Sequence, residues 1–198
     1  SSSAVEALVK NNPLMFSEIY HPRYINNIYY DTPLLNNYYD NLDGNFNRNK
    51  VRIRWYGDLT GHKINSNLEI KIKKGELGKK LFYPIKNFSI NKELYTKDLE
   101  TIIEQTKIGH QLKINDIKPI LINRYKRKYF QSFNKLFRIT IDTDLSFYRI
   151  GKHSVSMVRK YHDDTNVILE LKYFPDYDDD ARQVSNNFPF RLTKSSKY

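Results

Sequence analysis

The sequence predicts an α+β fold: an antiparallel sheet rolled into a β-barrel, its basic face turned inward, with flanking helices over its outside. Three observations lead there. Several segments alternate charged residues with Val, Ile, Leu, Phe or Trp at a period of two, the mark of strands with unlike faces. The charged faces are biased to cations and carry four arginines, Arg52, Arg54, Arg127 and Arg138. The opposite faces are apolar and need cover, which the few segments of helical periodicity can give.

The chain has 198 residues, 39 % of them hydrophobic and 28 % charged. That is enough for one sizeable core, so residues 1–198 are read as a single domain. No run of ~18 apolar residues is present, which excludes membrane insertion by a helix. The first ten residues lack the basic start and apolar stretch of a signal peptide. Cysteine is absent, so disulfides and thiolate metal sites are excluded and a cytoplasmic location is expected. The net charge of +11, from 33 Lys+Arg against 22 Asp+Glu, favours anionic partners. The abundance of Asn, Ile, Lys and Tyr accounts for part of that basicity on composition alone, so placement of the charge has to decide.

Residues 4–16 read as an amphipathic helix through Val5, Leu8, Val9 and Leu14. Pro22 is expected to interrupt the chain, and residues 24–31, rich in Tyr and Ile, to form a strand. Residues 34–42 suggest a helical turn ended by Asp43-Gly44. Residues 50–55 place Lys50, Arg52 and Arg54 on one face, opposite Val51, Ile53 and Trp55. Residues 68–73 set Glu69, Lys71 and Lys73 against Leu68, Ile70 and Ile72. Residues 75–78 turn the chain, and residues 79–85 return as a hairpin partner. This Gly75–Lys80 stretch lacks the Walker A spacing and its Ser/Thr, so it is not read as a phosphate loop.

Residues 97–107 predict a helix with Leu99, Ile102 and Ile103 on one side. Residues 119–133 form a long strand on which Tyr125, Arg127 and Tyr129 share a face. Residues 137–142 are its hairpin partner, with Arg138, Thr140 and Asp142 opposite Phe137, Ile139 and Ile141. Residues 147–150 read as a short separate strand. Residues 167–174 are another strand, with Glu170 and Lys172 opposite Leu169 and Leu171. Asp178–Asp180 read as a solvated loop and residues 188–198 as a loop leading into a basic terminal helix.

The alternating faces have two readings. One is a half-solvated antiparallel sheet with a wet charged side. The other is a polar-lined tunnel for a polyanion, favoured by arginine's suitability for bidentate phosphate binding. The acids among the cations, Glu69, Asp142 and Glu170, suit a divalent metal or ion pairs. Asn26, Asn27 and Asp31 read as strand-end and turn chemistry. The five histidines have no ligand-like spacing.

At these residues the chain resembles the VTC domain, the polyphosphate polymerase domain of the CYTH-like triphosphate tunnel metalloenzyme superfamily. The resemblance is carried by residues 23–32 (RYINNIYYDT), 50–57 (KVRIRWYG), 68–75 (LEIKIKKG), 124–127 (RYKR), 138–145 (RITIDTDL), 169–172 (LELK) and 194–198 (KSSKY). It covers nearly the whole chain and is similar to bacterial stand-alone members. It implies an antiparallel tunnel of roughly eight strands that binds ATP, inorganic triphosphate or polyphosphate with a divalent metal, Mn²⁺ or Mg²⁺. By position, it implies that Arg52, Arg54, Lys71, Arg127 and Arg138 line the phosphate path, joined by Lys80 or, alternatively, Lys79. It gives Tyr125 a hydrogen bond to phosphate, Glu170 the metal, and Lys172 and Lys197 the rest of the cradle. Arg127, Arg138 and Lys172 are the implied catalytic cations. Glu69 is a second candidate for the metal, with a structural ion pair as its alternative. One departure stands out. Family members open with a strand that alternates an acid with basic residues, whereas this chain opens with Ser1-Ser2-Ser3 and a helix, so an N-terminally truncated domain is expected.

The implied activity is an ATP-dependent polyphosphate polymerase-type phosphotransferase. The alternatives are a metal-dependent triphosphatase on the same site and a non-catalytic polyphosphate-binding module. Nucleic acid is disfavoured as a partner, because the clearest strand aromatic, Trp55, falls on the face opposite the arginines.

Overall fold

The computed structural model describes residues 1–75, 77–91, 95–106, 117–151, 155, 161–193 and 195–198. Among them are four α-helices and ten strands. In chain order these are α1 (Ser2–Lys10), β1 (Ser17–Asp31), α2 (Asn36–Asp43), β2 (Arg48–Tyr56), β3 (Gly61–Lys63), β4 (Asn67–Lys74) and β5 (Leu77–Pro84). Then follow β6 (Phe88–Ile90), α3 (Thr96–Glu104), β7 (Lys118–Gln131), β8 (Arg138–Arg149), β9 (Tyr161–Asp163), β10 (Ile168–Lys172) and α4 (Asp178–Asn186). The fold is α+β. Eight strands form one sheet in the order β10-β8-β7-β1-β2-β4-β5, with β9 also against β8, while β3 and β6 pair separately. Strand pairs with defined register are antiparallel. No helix among the described residues is long and apolar enough to cross a membrane.

The chain divides into two compact units. The first comprises Ser1–Tyr24, Tyr125–Leu145 and Asp163–Lys197; the second comprises Ile25–Arg124, Ser146–His162 and Tyr198. Each has its own apolar core. In the first, Phe130 of β7 and Ile139 and Ile141 of β8 pack with Val9 of α1 and with Ala181 and Val184 of α4. In the second, Val51, Ile53 and Trp55 of β2 and Leu68 and Ile70 of β4 pack with Leu99 and Ile103 of α3. The period-2 alternation thus buries the apolar set under helices, as each strand's two-faced pattern requires. Burying a side chain such as Ile53 or Leu68 stabilises the fold by roughly 1.5–3 kcal/mol.

Several boundaries differ from expectation for local reasons. β1 runs through Pro22 back to Ser17. A proline costs a strand one ladder donor, which the exposed outer part of β1 tolerates. α1 stops at Lys10, and Asn12 Oδ1 then accepts the Leu14 amide in a turn. Residues 147–150 are not a separate strand, because β8 runs unbroken to Arg149. Asp178–Asp180 are helical: they form the first turn of α4, where carboxylates suit the positive end of the helix dipole. The expected terminal helix is not formed among the described residues of 191–198; the apolar stripe that makes α4 lies earlier, at Ala181 and Val184. Lys107, at the end of the expected third helix, lies outside the described residues, and so does Lys194 of the terminal motif.

Candidate functional site

In the second unit the register of β1, β2, β4 and β5 aligns polar side chains in rows across the sheet. Antiparallel partners point to the same side. Tyr29 lies opposite Arg52, Arg52 opposite Glu69, and Glu69 opposite Phe82. The next row is Lys50, Lys71 and Lys80, three ammonium groups on neighbouring strands. Like charges in directly opposed positions repel one another and destabilise a sheet. Nearby, Asn27 lies opposite Arg54, which lies opposite Asn67.

Glu69 is the hub of this face. It is 6 % exposed. Its Oε2 accepts from Arg52 Nε at 2.8 Å and Nη2 at 2.5 Å, and lies 3.4 Å from Lys80 Nζ. Arg54 Nη1 is 3.7 Å from Oε1. Burial would raise the Glu69 pKa, but the charges of Arg52 and Arg54, with the Arg52 hydrogen bond, hold it below the usual carboxylate value. Lys80 is pushed below the usual lysine value by burial and by repulsion from Arg52 and Arg54, against the pull of Glu69. Behind these charges, Arg54 donates to Asn27 Oδ1 at 2.8 Å, and Asn27 donates in turn to Asn123 Oδ1 at 2.8 Å. Arg52 Nη1 donates to the Tyr29 hydroxyl at 3.2 Å.

In the first unit the cations converge on Asp142, which is fully buried. Arg127 grips it at two points, Nε to Oδ1 at 2.5 Å and Nη2 to Oδ2 at 2.6 Å. Lys197 Nζ lies 2.6 Å from the same Oδ2. Burial alone would raise the Asp142 pKa and lower that of Arg127. The hydrogen bonds between them and the charges around them, Lys197 beside the acid and Glu170 beside the guanidinium, together outweigh it, so the acid sits below its usual value and the guanidinium above. Arg127 also lies over the Tyr125 ring at 5.2 Å, as does Lys197. Glu170 is different: half-exposed, 3.4 Å from Lys172 and 3.9 Å from Arg127 Nη2. Lys172 lies directly opposite Arg138, a second like-charge pair across strands. Its pKa is lowered by burial first and by Arg127, while Glu170 pulls it the other way.

The expected residues therefore fall into two sets. Arg52, Arg54, Lys71, Lys80 and Glu69 share one face of the second unit. Arg127, Arg138, Tyr125, Glu170, Lys172 and Lys197 belong to the first unit. Register also separates the two hairpin lysines, since Lys80 pairs with Lys71 and Lys79 pairs with Ile72. Asn26 and Asn27 lie within β1 rather than at its end, while Asp31 is its last residue and serves the turn that follows; all three are fully buried. Asp31 accepts from the Asn37 and Tyr38 amides at the start of α2, at 2.9 Å each, and from the Tyr198 hydroxyl. Tyr198 stacks on Tyr29 with centroids 4.8 Å apart. A buried Asn or Asp on a Tyr-rich strand was the available signal, because such groups need partners that a strand ladder alone does not supply.

The VTC domain model matches residues 4–198. The chain belongs to the VTC domain family. No curated protein matches it. Membership implies a polyphosphate-related function, and VTC and CYTH-like domains generally use divalent metals. In this VTC domain, no group of three or more His, Asp or Glu suited to a metal occurs among the described residues. Both Asp142 oxygens are engaged by Arg127, and Glu69 is held by Arg52. Glu170 offers a half-exposed carboxylate whose ion pairs with Lys172 and Arg127 are long. Mg²⁺-like ions are commonly bound by one or two carboxylates, with water and substrate phosphates completing the shell, and this donor set fits that mode.

Proposed function

We propose that this VTC domain is an ATP-dependent phosphotransferase that extends polyphosphate. The observation that carries the reading is the row of opposed ammonium groups, Lys50, Lys71 and Lys80, beside Arg52 and Arg54. Like charges so placed repel one another, with Glu69 offsetting the charge at Lys80, and an anion along the row relieves that repulsion. A chain of phosphates is an anion of the opposite charge. Arg52, Arg54, Lys71 and Lys80 bind phosphate in the second unit; Arg127, Arg138, Lys172, Lys197 and Tyr125 do so in the first.

Phosphoryl transfer asks the protein mainly for positioning and charge neutralisation. A terminal oxygen of the acceptor phosphate attacks the γ-phosphorus, the bond from that phosphorus to the β,γ-bridging oxygen breaks, and ADP departs. Arg127, Arg138 and Lys172 neutralise the equatorial oxygens and the leaving group. Asp142 fixes Arg127 in place through two bonds, which preorganises the donor. Glu170 would hold the divalent metal, which when bound would supply positive charge against the phosphates. Glu69 could reach a metal only by releasing Arg52, so its role is to hold Arg52, Arg54 and Lys80 together.

Incubation with ATP and Mn²⁺ or Mg²⁺, followed by sizing of the phosphate products on a gel, tests the reading. A ladder of chains is the expected result. Inorganic phosphate alone would identify a triphosphatase, and binding without turnover a non-catalytic polyphosphate module.

A further inference from the structure

The cation face of the second unit carries an exposed apolar side chain, Phe82, that phosphate binding does not use. On β5, Leu81 and Tyr83 pack against the apolar core, so Lys80 and Phe82 take the opposite, polar side. Phe82 lies directly across from Glu69, one row from the Lys50–Lys71–Lys80 line. Its ring is 55 % exposed, and Lys80 Nζ lies over it at 4.5 Å from the centroid. A large apolar ring on the charged side of a two-faced strand breaks the pattern that β2 and β4 keep. The aromatic whose position argued against a base-binding role, Trp55, is buried on the other face, but Phe82 is on this one.

We propose that Phe82 is a stacking platform for the base of a nucleoside triphosphate, with Lys80 and Lys71 taking its phosphates; this rests on the phosphate-binding reading above. An exposed aromatic beside a run of cations is the arrangement by which proteins hold a base and its phosphates together, and it is tolerant of base identity because every base has a π-face. No polar reader of a base edge is needed. The inferred ligand class is a nucleoside triphosphate, purine ahead of pyrimidine, with adenine and guanine nearly equivalent.

The test compares Kd for ATP and for inorganic tripolyphosphate in the wild-type chain, Phe82→Ala and Phe82→Tyr. Loss of one stacked base corresponds to about fivefold or more in affinity. The expected result is that Phe82→Ala weakens ATP by that factor, moves tripolyphosphate less than about twofold, and is rescued by Phe82→Tyr. Should Phe82→Ala fold poorly, Phe82→Leu keeps the apolar bulk and removes the π-face, and the same split is expected. Equal loss for both ligands, or loss for neither, overturns the platform while leaving phosphate binding intact. Wild-type protein that binds no tripolyphosphate overturns the phosphate reading and this inference with it.

Discussion

Asp142 holds Arg127 at both ends of its carboxylate, 2.5 Å and 2.6 Å, from the neighbouring strand of the sheet. The acid is fully buried and the guanidinium side chain only 9 % exposed, so each is the other's main solvation. Lys197 completes the charge balance at 2.6 Å.

Asp142→Asn keeps the shape and deletes the charge that compensates two cations. Removing one partner of a buried pair costs about 3–5 kcal/mol. The melting temperature is therefore expected to fall by roughly 6–20 °C, given ~2–4 °C per kcal/mol for a chain of this size. An unchanged melting temperature in a thermal scan would show that Asp142 carries no such load.

The same pair sets an acid limit. The folded Asp142 pKa lies below its ordinary value, so the folded state binds this proton less readily than the unfolded chain. Its contribution is fully present above the unfolded pKa, about 3.9, and is lost as pH falls through the lower folded value. In an acid titration, Asp142→Asn is expected to lose less stability than wild type below about pH 4. Parallel curves would exclude the linkage.

Glu170→Gln is expected to behave in the opposite manner. Its carboxylate is half-exposed and its ion pairs with Lys172 and Arg127 are long, so stability should move by no more than about 0.5 kcal/mol. Metal-dependent turnover should disappear. Wild-type turnover across a Mn²⁺ titration would remove Glu170 from the metal site.

Glu69→Gln leaves Arg52, Arg54 and Lys80 facing one another without their shared acid. The free protein should lose about 1–3 kcal/mol, the scale of a broken buried charged hydrogen bond. Tripolyphosphate, by supplying the missing negative charge, should raise the melting temperature of Glu69→Gln more than that of wild type. A smaller ligand-induced rise in the variant would mean that Glu69 organises the site rather than restrains its cations.

Lys80 and Lys172 both sit below the ordinary lysine pKa, so their charge is lost earlier as pH rises. Phosphate binding favours the charged form and raises them again. Binding at about pH 9 should therefore take up protons, visible in calorimetry as heats that vary with the buffer's ionisation enthalpy. Buffer-independent heats would contradict this.

The alternation in residues 50–55, 68–73 and 137–142 was sufficient by itself to assign faces, since a period of two leaves no choice about which side chains travel together. It placed Val51, Ile53, Trp55, Leu68 and Ile70 in a core and Arg52, Arg54 and Glu69 opposite them, as found. Pairing was not in that pattern. That Lys80 rather than Lys79 joins the Lys50 and Lys71 row follows from the β4–β5 register, and a one-residue slip would have reversed it. Asp142 as the anchor of Arg127 needed the hairpin to bring together residues fifteen apart. Asp31 and Tyr198, separated by 167 positions, needed the whole second unit. Local periodicity is fixed by backbone geometry and can be read along the chain. Which charges become partners is fixed by register and burial, and those arise only when distant strands lie side by side.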